Sequence, residues 1–127
     1  MVLVTTVLAA SSGGGTAEMR WPAPHHRREA APVETRTISS GGPDEATYGY
    51  SRAVRVDDRI HVSGMGAQPP HVDGVDAYGQ ATDASRITGE ALVDAGSSLR
   101  DVVRTRIHVV DIGDADAVLR APRRGIR

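Results

Sequence analysis

Apolar and polar residues alternate with a period of two over residues 53–62, which is typical of a β-hairpin. Asp57 and Asp58 interrupt the alternation and predict the turn between its two strands. A shorter strand over residues 35–40 precedes the hairpin. The prolines and glycines of residues 68–74 predict a loop after it.

From residue 77 the hydrophobic period changes to 3.6, which predicts an amphipathic helix. Gly96 stands where a helix end commonly needs a left-handed residue. Charged residues, Asp83 among them, fall away from the apolar face. That face consists mainly of alanine and suits close packing on a sheet: Ala77, Ala81, Ala84, Thr88, Ala91, Leu92 and Ala95.

One more strand and one more helix follow. Residues 102–112 are rich in valine and isoleucine and alternate with polar residues, which predicts a strand. Asp114 is a plausible N-cap for a helix that continues through Leu119. Strands, a helix, a strand and a helix in this order predict an α+β fold with the helices packed on one face of a sheet.

Composition limits the possible chemistry. A chain of 127 residues with 39% hydrophobic residues and net charge −1 is expected to be one soluble domain. Near-neutral charge and 3% aromatic residues disfavour nucleic-acid binding. No apolar run reaches the ~20 residues of a membrane span. Cysteine is absent and all fifteen basic residues are arginine, which excludes thiolate and Schiff-base catalysis.

The two ends of the chain differ from its middle. Residues 1–34 are expected to be a disordered or mis-started extension, because they show neither period and contain three prolines. Residues 35–121 form the expected domain. Residues 122–127 are expected to be an out-of-frame tail, since Pro122 breaks the last helix and removal of one base from permitted codons would restore a helical sequence.

Four segments, in their order and spacing, resemble the RidA/YjgF family: Gly49-Tyr-Ser-Arg-Ala-Val, Ile60-His-Val-Ser-Gly, the helix from Gln80 to Gly96, and Asp101-Val-Val-Arg-Thr-Arg-Ile-His-Val-Val-Asp-Ile. The resemblance implies a mixed β-sheet with two helices on one face, as in chorismate-mutase-like folds. It also implies homotrimers with clefts between subunits, and hydrolysis of reactive enamines and imines without metal or cofactor.

The same resemblance implies roles for four residues. Tyr50 would line the cleft, Ser63 would contact the substrate, and Gly64 would present its backbone. Arg52 lies close enough to Tyr50 to reach the cleft. From the residues alone, Tyr50 is equally a cap on the sheet edge, and Ser63 is better explained as a turn serine bonded to its own backbone than as a ligand contact.

The family's carboxylate-anchoring arginine and its acidic residue lie in two later strands, which the resemblance does not extend to here. Gly113 stands where deaminating members often carry asparagine. Catalytic residues are therefore unassigned, and the chain as written is expected to be truncated and inactive. The alternative is a non-catalytic, small-molecule-binding member of the same fold.

Metal sites have weak support in the sequence. His61 and His108 are an alternative pair of ligands, but no third ligand accompanies them. Asp111, Asp114 and Asp116 are better explained by helix capping. The family resemblance implies neither metal nor cofactor, and the protein is expected to be cytoplasmic. Its expected partner is a small carboxylate or imine, with neither nucleic acid nor membrane.

Overall fold

The computed structural model describes the backbone of residues 2–10, and the backbone and side chains of residues 32–121. Its strands are β1 Val2–Ala10, β2 Thr35–Ile38, β3 Ala53–Val56, β4 Arg59–Val62, β5 Met65–Gly66 and β6 Val102–Val109, and its helices are α1 Glu45–Tyr48, α2 Ala77–Asp94 and α3 Ala115–Arg120. Single 3-10 turns at Leu99–Asp101 and Ile112–Asp114 flank β6. No helix among the described residues is long and apolar enough to cross a bilayer.

The strands form one sheet with β1 in its interior. β2 pairs with β3 and β3 with β4. One edge of β1 pairs with β4 and β5, and its other edge pairs with β6. Neighbouring strands in the described residues are all antiparallel, so β4 and β6 run parallel to each other with β1 between them. The α+β class is confirmed, with α2 and α3 on one face.

The expectation that residues 1–34 pack on nothing is wrong for residues 2–10, which form β1. This segment has no charged residue and is rich in β-branched valine and threonine. A short, almost wholly apolar run is also consistent with a strand although it shows no alternation, so the missing period did not exclude a strand. Residues 11–31 and the expected out-of-frame tail at 122–127 lie outside the described residues.

The predicted hairpin and first long helix are confirmed. Asp57 makes the turn between β3 and β4 in a left-handed conformation (φ 52°), which aspartate tolerates better than most residues. α2 is followed by Gly96, whose φ of 82° requires a residue without a Cβ. Arg36 and Arg55 donate to the carbonyls of Asp94 and Ala95 and so satisfy the end of α2.

The main core lies between the sheet and α2. It is lined by Ile38, Ala53, Ile60, Val62, Met65, Ala84, Ile87, Ala91, Leu92 and Ala95. A second cluster joins Ala81 of α2 to Val118 and Ala121 at the end of α3, and Ile107 of β6 packs against both clusters. The alanines let α2 approach the sheet closely, as the sequence predicted.

Gly89 in the middle of α2 has a packing reason. A Cβ there would lie 3.2 Å from a terminal methyl carbon of Leu99, which belongs to the turn before β6. The glycine therefore allows that turn to lie directly against the helix. This contact offsets the helix-propensity cost of glycine, about 1 kcal/mol relative to alanine.

Candidate functional site at one end of the hairpin

The four residues proposed from the sequence lie at one end of the β3–β4 hairpin. Tyr50 and Arg52 precede β3, while Ser63 and Gly64 follow β4. The first residue of β3 pairs with the last residue of β4, so the two short segments are neighbours. The loop at residues 39–45 lies beside them, because β2 pairs with the other edge of β3.

Ser63 is held by the backbone of the preceding segment. Its hydroxyl donates to the carbonyl of Ser51 at 2.6 Å, and its backbone N–H donates to the carbonyl of Arg52 at 3.0 Å. The hydroxyl proton of Ser63 is therefore engaged in a hydrogen bond within the hairpin. The side chain is exposed, and its oxygen retains lone pairs that can accept a hydrogen bond from a ligand.

Tyr50 lies against the loop at residues 39–45. Its side chain is 46% exposed, and a Cβ at Gly42 would be only 2.7 Å from the tyrosine hydroxyl. Any other residue at position 42 would therefore displace Tyr50 or the loop. The phenol is positioned by this contact, while nearly half of its surface faces solvent.

Glu45 organises that loop. Its carboxylate accepts hydrogen bonds from the Ser39 hydroxyl and from the backbone N–H of Ser40. The Ser39 bond is the largest cause that lowers the pKa of Glu45, followed by the bonds from Ser40, with a smaller contribution from the positive charge of Arg52. Burial opposes the shift but does not outweigh it. Glu45 is therefore ionised at neutral pH.

Arg52 is half-buried beside β5. Its backbone N–H donates to the carbonyl of Ile38 at 2.8 Å, and one guanidinium nitrogen lies 2.7 Å from the sulfur of Met65. A guanidinium carries five N–H donors in a planar fork that matches a carboxylate. The contact with Met65 involves one nitrogen of the guanidinium and positions the remaining N–H donors.

These groups suit binding better than proton transfer. Arg52 supplies a cation, Ser63 and Tyr50 supply hydroxyls, and Gly64 supplies accessible backbone. General acid catalysis needs a group that is protonated near the working pH. Glu45 is the acidic residue of the loop that lies beside this cluster, and its lowered pKa leaves it an acceptor only.

Sequence reasoning missed Ser39, Ser40 and Glu45. The signal available was an acidic residue at the start of a short helix, five and six residues after two serines in a glycine-rich turn. Serine and glutamate in such an arrangement commonly bond the local backbone. Their position beside Tyr50 depends on the pairing of β2 with β3, which local pattern does not specify.

The alternative histidine pair is wrong. His61 is aligned across β1 with Arg104, because both pair with Leu8, whereas His108 pairs with Leu3. Two strand spacings of about 4.8 Å and five residues along β1 therefore separate the two histidines. No group of three potential ligands occurs in the described part of the chain.

Of the three aspartates at positions 111, 114 and 116, Asp111 is the one whose side chain makes a capping hydrogen bond. The side chain of Asp111 accepts from the backbone N–H of Gly113 at 2.8 Å and caps the turn before α3. Asp114 occupies the N-cap position of α3 but makes no side-chain cap hydrogen bond. Gly113 thus lies inside a capped turn.

Two surface cavities lie away from these residues. The larger, about 570 Å³, lies between α2 and the turn before β6 and is lined in part by Glu90, Val93 and Leu99. The smaller, about 280 Å³, is lined by Glu34, Arg36, Arg55 and Asp57. Neither includes any of the four residues proposed from the sequence.

Comparison with known proteins assigns the family. The profile described as Endoribonuclease L-PSP matches residues 43–124. The crystal structure of Rv2704 from Mycobacterium tuberculosis, a member of the YjgF/YER057c/UK114 family, is 40% identical with a TM-score of 0.61, covering 69% of this chain and 70% of that one. The chain belongs to this family, the RidA/YjgF family that its sequence resembles.

Two relatives extend the comparison. An uncharacterized protein of Streptomyces coelicolor is 36% identical over 89 residues, 68% of this chain and 66% of that protein. The human 2-iminobutanoate/2-iminopropanoate deaminase is 34% identical over 86 residues, 65% of this chain and 63% of the enzyme. The chain thus spans slightly less than two thirds of the length of these relatives.

Proposed function

We propose that this protein is a RidA-type, cofactor-free binder of small carboxylates or imines that does not hydrolyse them as written. The chain shares its family with the human 2-iminobutanoate/2-iminopropanoate deaminase, at 34% identity. The ligand would lie at the end of the β3–β4 hairpin, with its carboxylate against Arg52 and with Tyr50, Ser63 and Gly64 around it.

The observation that carries this proposal is the state of Glu45. Hydrolysis of an imine adds water to the C=N carbon and transfers protons to nitrogen until ammonia leaves. That sequence needs a proton donor close to the nitrogen. Glu45 is ionised and already accepts two hydrogen bonds from its own loop. The candidate site therefore holds a binding group for a carboxylate without a matching acid.

An assay with 2-iminobutanoate generated in solution tests the absence of hydrolysis. With this protein we expect decay at the spontaneous rate, and with the human relative we expect acceleration. Calorimetry with 2-oxobutanoate, the product of hydrolysis, tests binding separately. Accelerated decay would show that the protein is an active deaminase. If the protein neither bound 2-oxobutanoate nor accelerated the decay, the proposed small-molecule function would be wrong.

Tyr50→Phe is expected to weaken 2-oxobutanoate binding about fivefold, the loss of one hydrogen bond worth about 1 kcal/mol. Tyr78→Phe is the matched control, because Tyr78 is 38% exposed on α2, away from the hairpin end. Ser63→Ala is expected instead to lower the free energy of unfolding by about 1 kcal/mol, since its hydroxyl bonds the backbone. Equal affinity in Tyr50→Phe and wild type would make Tyr50 structural.

The proposed assembly is a homotrimer in the cytoplasm, with the ligand cleft between subunits. Size-exclusion chromatography with light scattering should then give a mass near three times 13.4 kDa. If a monomer still bound 2-oxobutanoate, the binding site would not require the trimer.

A further inference from the structure

The larger surface cavity, of about 570 Å³, has the size and lining of a small-molecule site. Ligand pockets typically measure about 300–1,000 Å³ and combine apolar surface with a few polar groups. α2 forms one wall of this cavity and contributes Gly89, Val93 and Asp94. The turn before β6 forms the other wall and contributes Leu99 and Arg100. The cavity therefore offers an apolar surface with charged groups on both walls.

Both walls are held in place by contacts within the chain. The turn has a capping box, in which the Ser98 hydroxyl donates to Asp101 at 2.9 Å and accepts from the backbone N–H of Arg100 at 3.3 Å. Gly89 lets this turn lie against α2, because a Cβ there would be 3.2 Å from Leu99. The apolar surface of the cavity is thus formed in advance, and a ligand that covers it removes that surface from water.

Two opposite charges in the cavity have no ion-pair partner among residues 32–121. Asp94 and Arg100 line the cavity from opposite walls, and neither side chain forms an ion pair within that range. Arg86 and Glu90 also line the cavity, but they pair with each other at 2.5 Å. The groups that remain for a ligand are one carboxylate and one guanidinium.

The position of Asp94 favours a positively charged ligand group. Asp94 is the last residue of α2, and the final turn of this helix contains no basic residue. The C-terminal end of a helix carries negative partial charge, which favours cations. Arg36 donates to the backbone carbonyl of Asp94 at 3.2 Å and leaves its carboxylate unpaired. An ammonium group beside Asp94 would therefore be attracted both by the carboxylate and by the end of the helix.

We propose that this cavity binds an apolar α-amino acid, with its ammonium group at Asp94 and its carboxylate at Arg100. The planar guanidinium matches a carboxylate, and the apolar side chain of the ligand covers Gly89, Val93 and Leu99. An aromatic side chain suits this surface, because it covers a large apolar area with few rotatable bonds to order. None of the four residues at the hairpin end lines the cavity, so this site is separate from the one proposed above.

Three ligands that share a phenyl ring test the two charges separately. L-Phenylalanine carries both charges, phenylpropanoate lacks the ammonium group, and phenethylamine lacks the carboxylate. In amide NMR titrations at neutral pH with up to about 10 mM ligand, L-phenylalanine should give saturable shifts at Gly89, Val93 and Leu99. The other two ligands should bind about fivefold more weakly, because each loses one charged contact at an exposed site.

Charge-neutral variants test which wall binds which end of the ligand. Arg100→Gln should weaken L-phenylalanine and phenylpropanoate about fivefold and leave phenethylamine unchanged. Asp94→Asn should weaken L-phenylalanine and phenethylamine instead and leave phenylpropanoate unchanged. Arg120→Gln and Asp116→Asn are the matched controls, because both residues are exposed on α3 and neither lines the cavity. Both controls should keep all three affinities within about twofold of wild type.

Three results would overturn the proposal. Equal affinity for the three ligands would show that the cavity recognises the phenyl ring alone. Saturable shifts at Tyr50 and Ser63 in place of the cavity residues would show that the amino acid binds at the hairpin end. Absence of saturable shifts would show that the cavity binds no apolar amino acid. The 2-oxobutanoate measurements report on the hairpin end, so failure of one proposal is distinguishable from failure of the other.

Discussion

Leu92→Ala is expected to lower the free energy of unfolding by about 2–5 kcal/mol. Leu92 is one of the largest fully buried side chains, at 0% exposure, and lies on the face of α2 that packs on the sheet. Its neighbours on the helix are mainly alanines, which have no rotamers with which to fill the cavity. The remaining void should therefore stay open, and the cost should fall in the upper part of this range. Urea unfolding followed by circular dichroism measures it.

Leu119→Ala is the matched control for Leu92→Ala. Leu119 lies on α3 and is 55% exposed, so the same deletion of three carbons should cost less than about 1 kcal/mol. Equal destabilisation by the two variants would show that α2 does not form the core as described.

Asp83→Ala is expected to have the second largest effect and to lower the free energy of unfolding by about 1–3 kcal/mol. The carboxylate is buried, accepts from the backbone N–H of Gln68 at 2.9 Å, and forms an ion pair with Arg86 at 2.9 Å. Without it, the Gln68 N–H loses its partner and the loop after β5 loses its attachment to α2. Thermal unfolding at neutral pH measures the effect.

Glu90→Ala is the control for Asp83→Ala, because Glu90 is the other acidic partner of Arg86. Its side chain is 62% exposed, against 4% for Asp83. An exposed i,i+4 ion pair contributes about 0.3–0.5 kcal/mol. If Glu90→Ala lowered the free energy of unfolding more than Asp83→Ala, Asp83 would not be the residue that attaches the loop after β5 to α2.

The acid dependence of stability should also change with Asp83. Burial raises the pKa of this carboxyl, but the hydrogen bond from Gln68 and the bond and charge of Arg86 outweigh burial, so its pKa lies below its ordinary value. A lowered folded-state pKa stabilises the protein above the unfolded pKa, about 3.9, and this contribution is lost as the pH falls through the folded pKa. Asp83→Asn should therefore flatten the acid limb of the stability curve.

The hairpin at residues 53–62 and the helix from residue 77 could be predicted because their signals are local. Alternation, a turn at Asp57 and a glycine after the helix each depend on residues close in the chain. The helical pattern places Asp83 on the polar side of α2, but the structure buries it. The loop that covers it belongs to a different part of the chain. The burial of Asp83 depends on Gln68, fifteen residues earlier.

β1 and the Glu45 loop could not be predicted for a related reason. Both depend on which strands become neighbours, and pairing over long sequence separations leaves little trace in local pattern. The order of the longer elements from β2 to α3 was predicted from local pattern and agrees with the family resemblance, whereas the short α1 and β5 were not predicted. The resemblance carried no information on residues 2–10, which lie before the matched region at 43–124.

The central place of β1 also sets the timing of folding. Thr5 is synthesised about 100 residues before its partner Arg106. At about 5–20 residues per second, the ribosome makes that partner 5–20 seconds after the strand. During this interval an uncharged, β-branched segment has no partner from β6, and pairing at such separation is slow to nucleate. Chaperones that bind extended apolar segments would therefore meet residues 2–10 before the strand that pairs with them has been made.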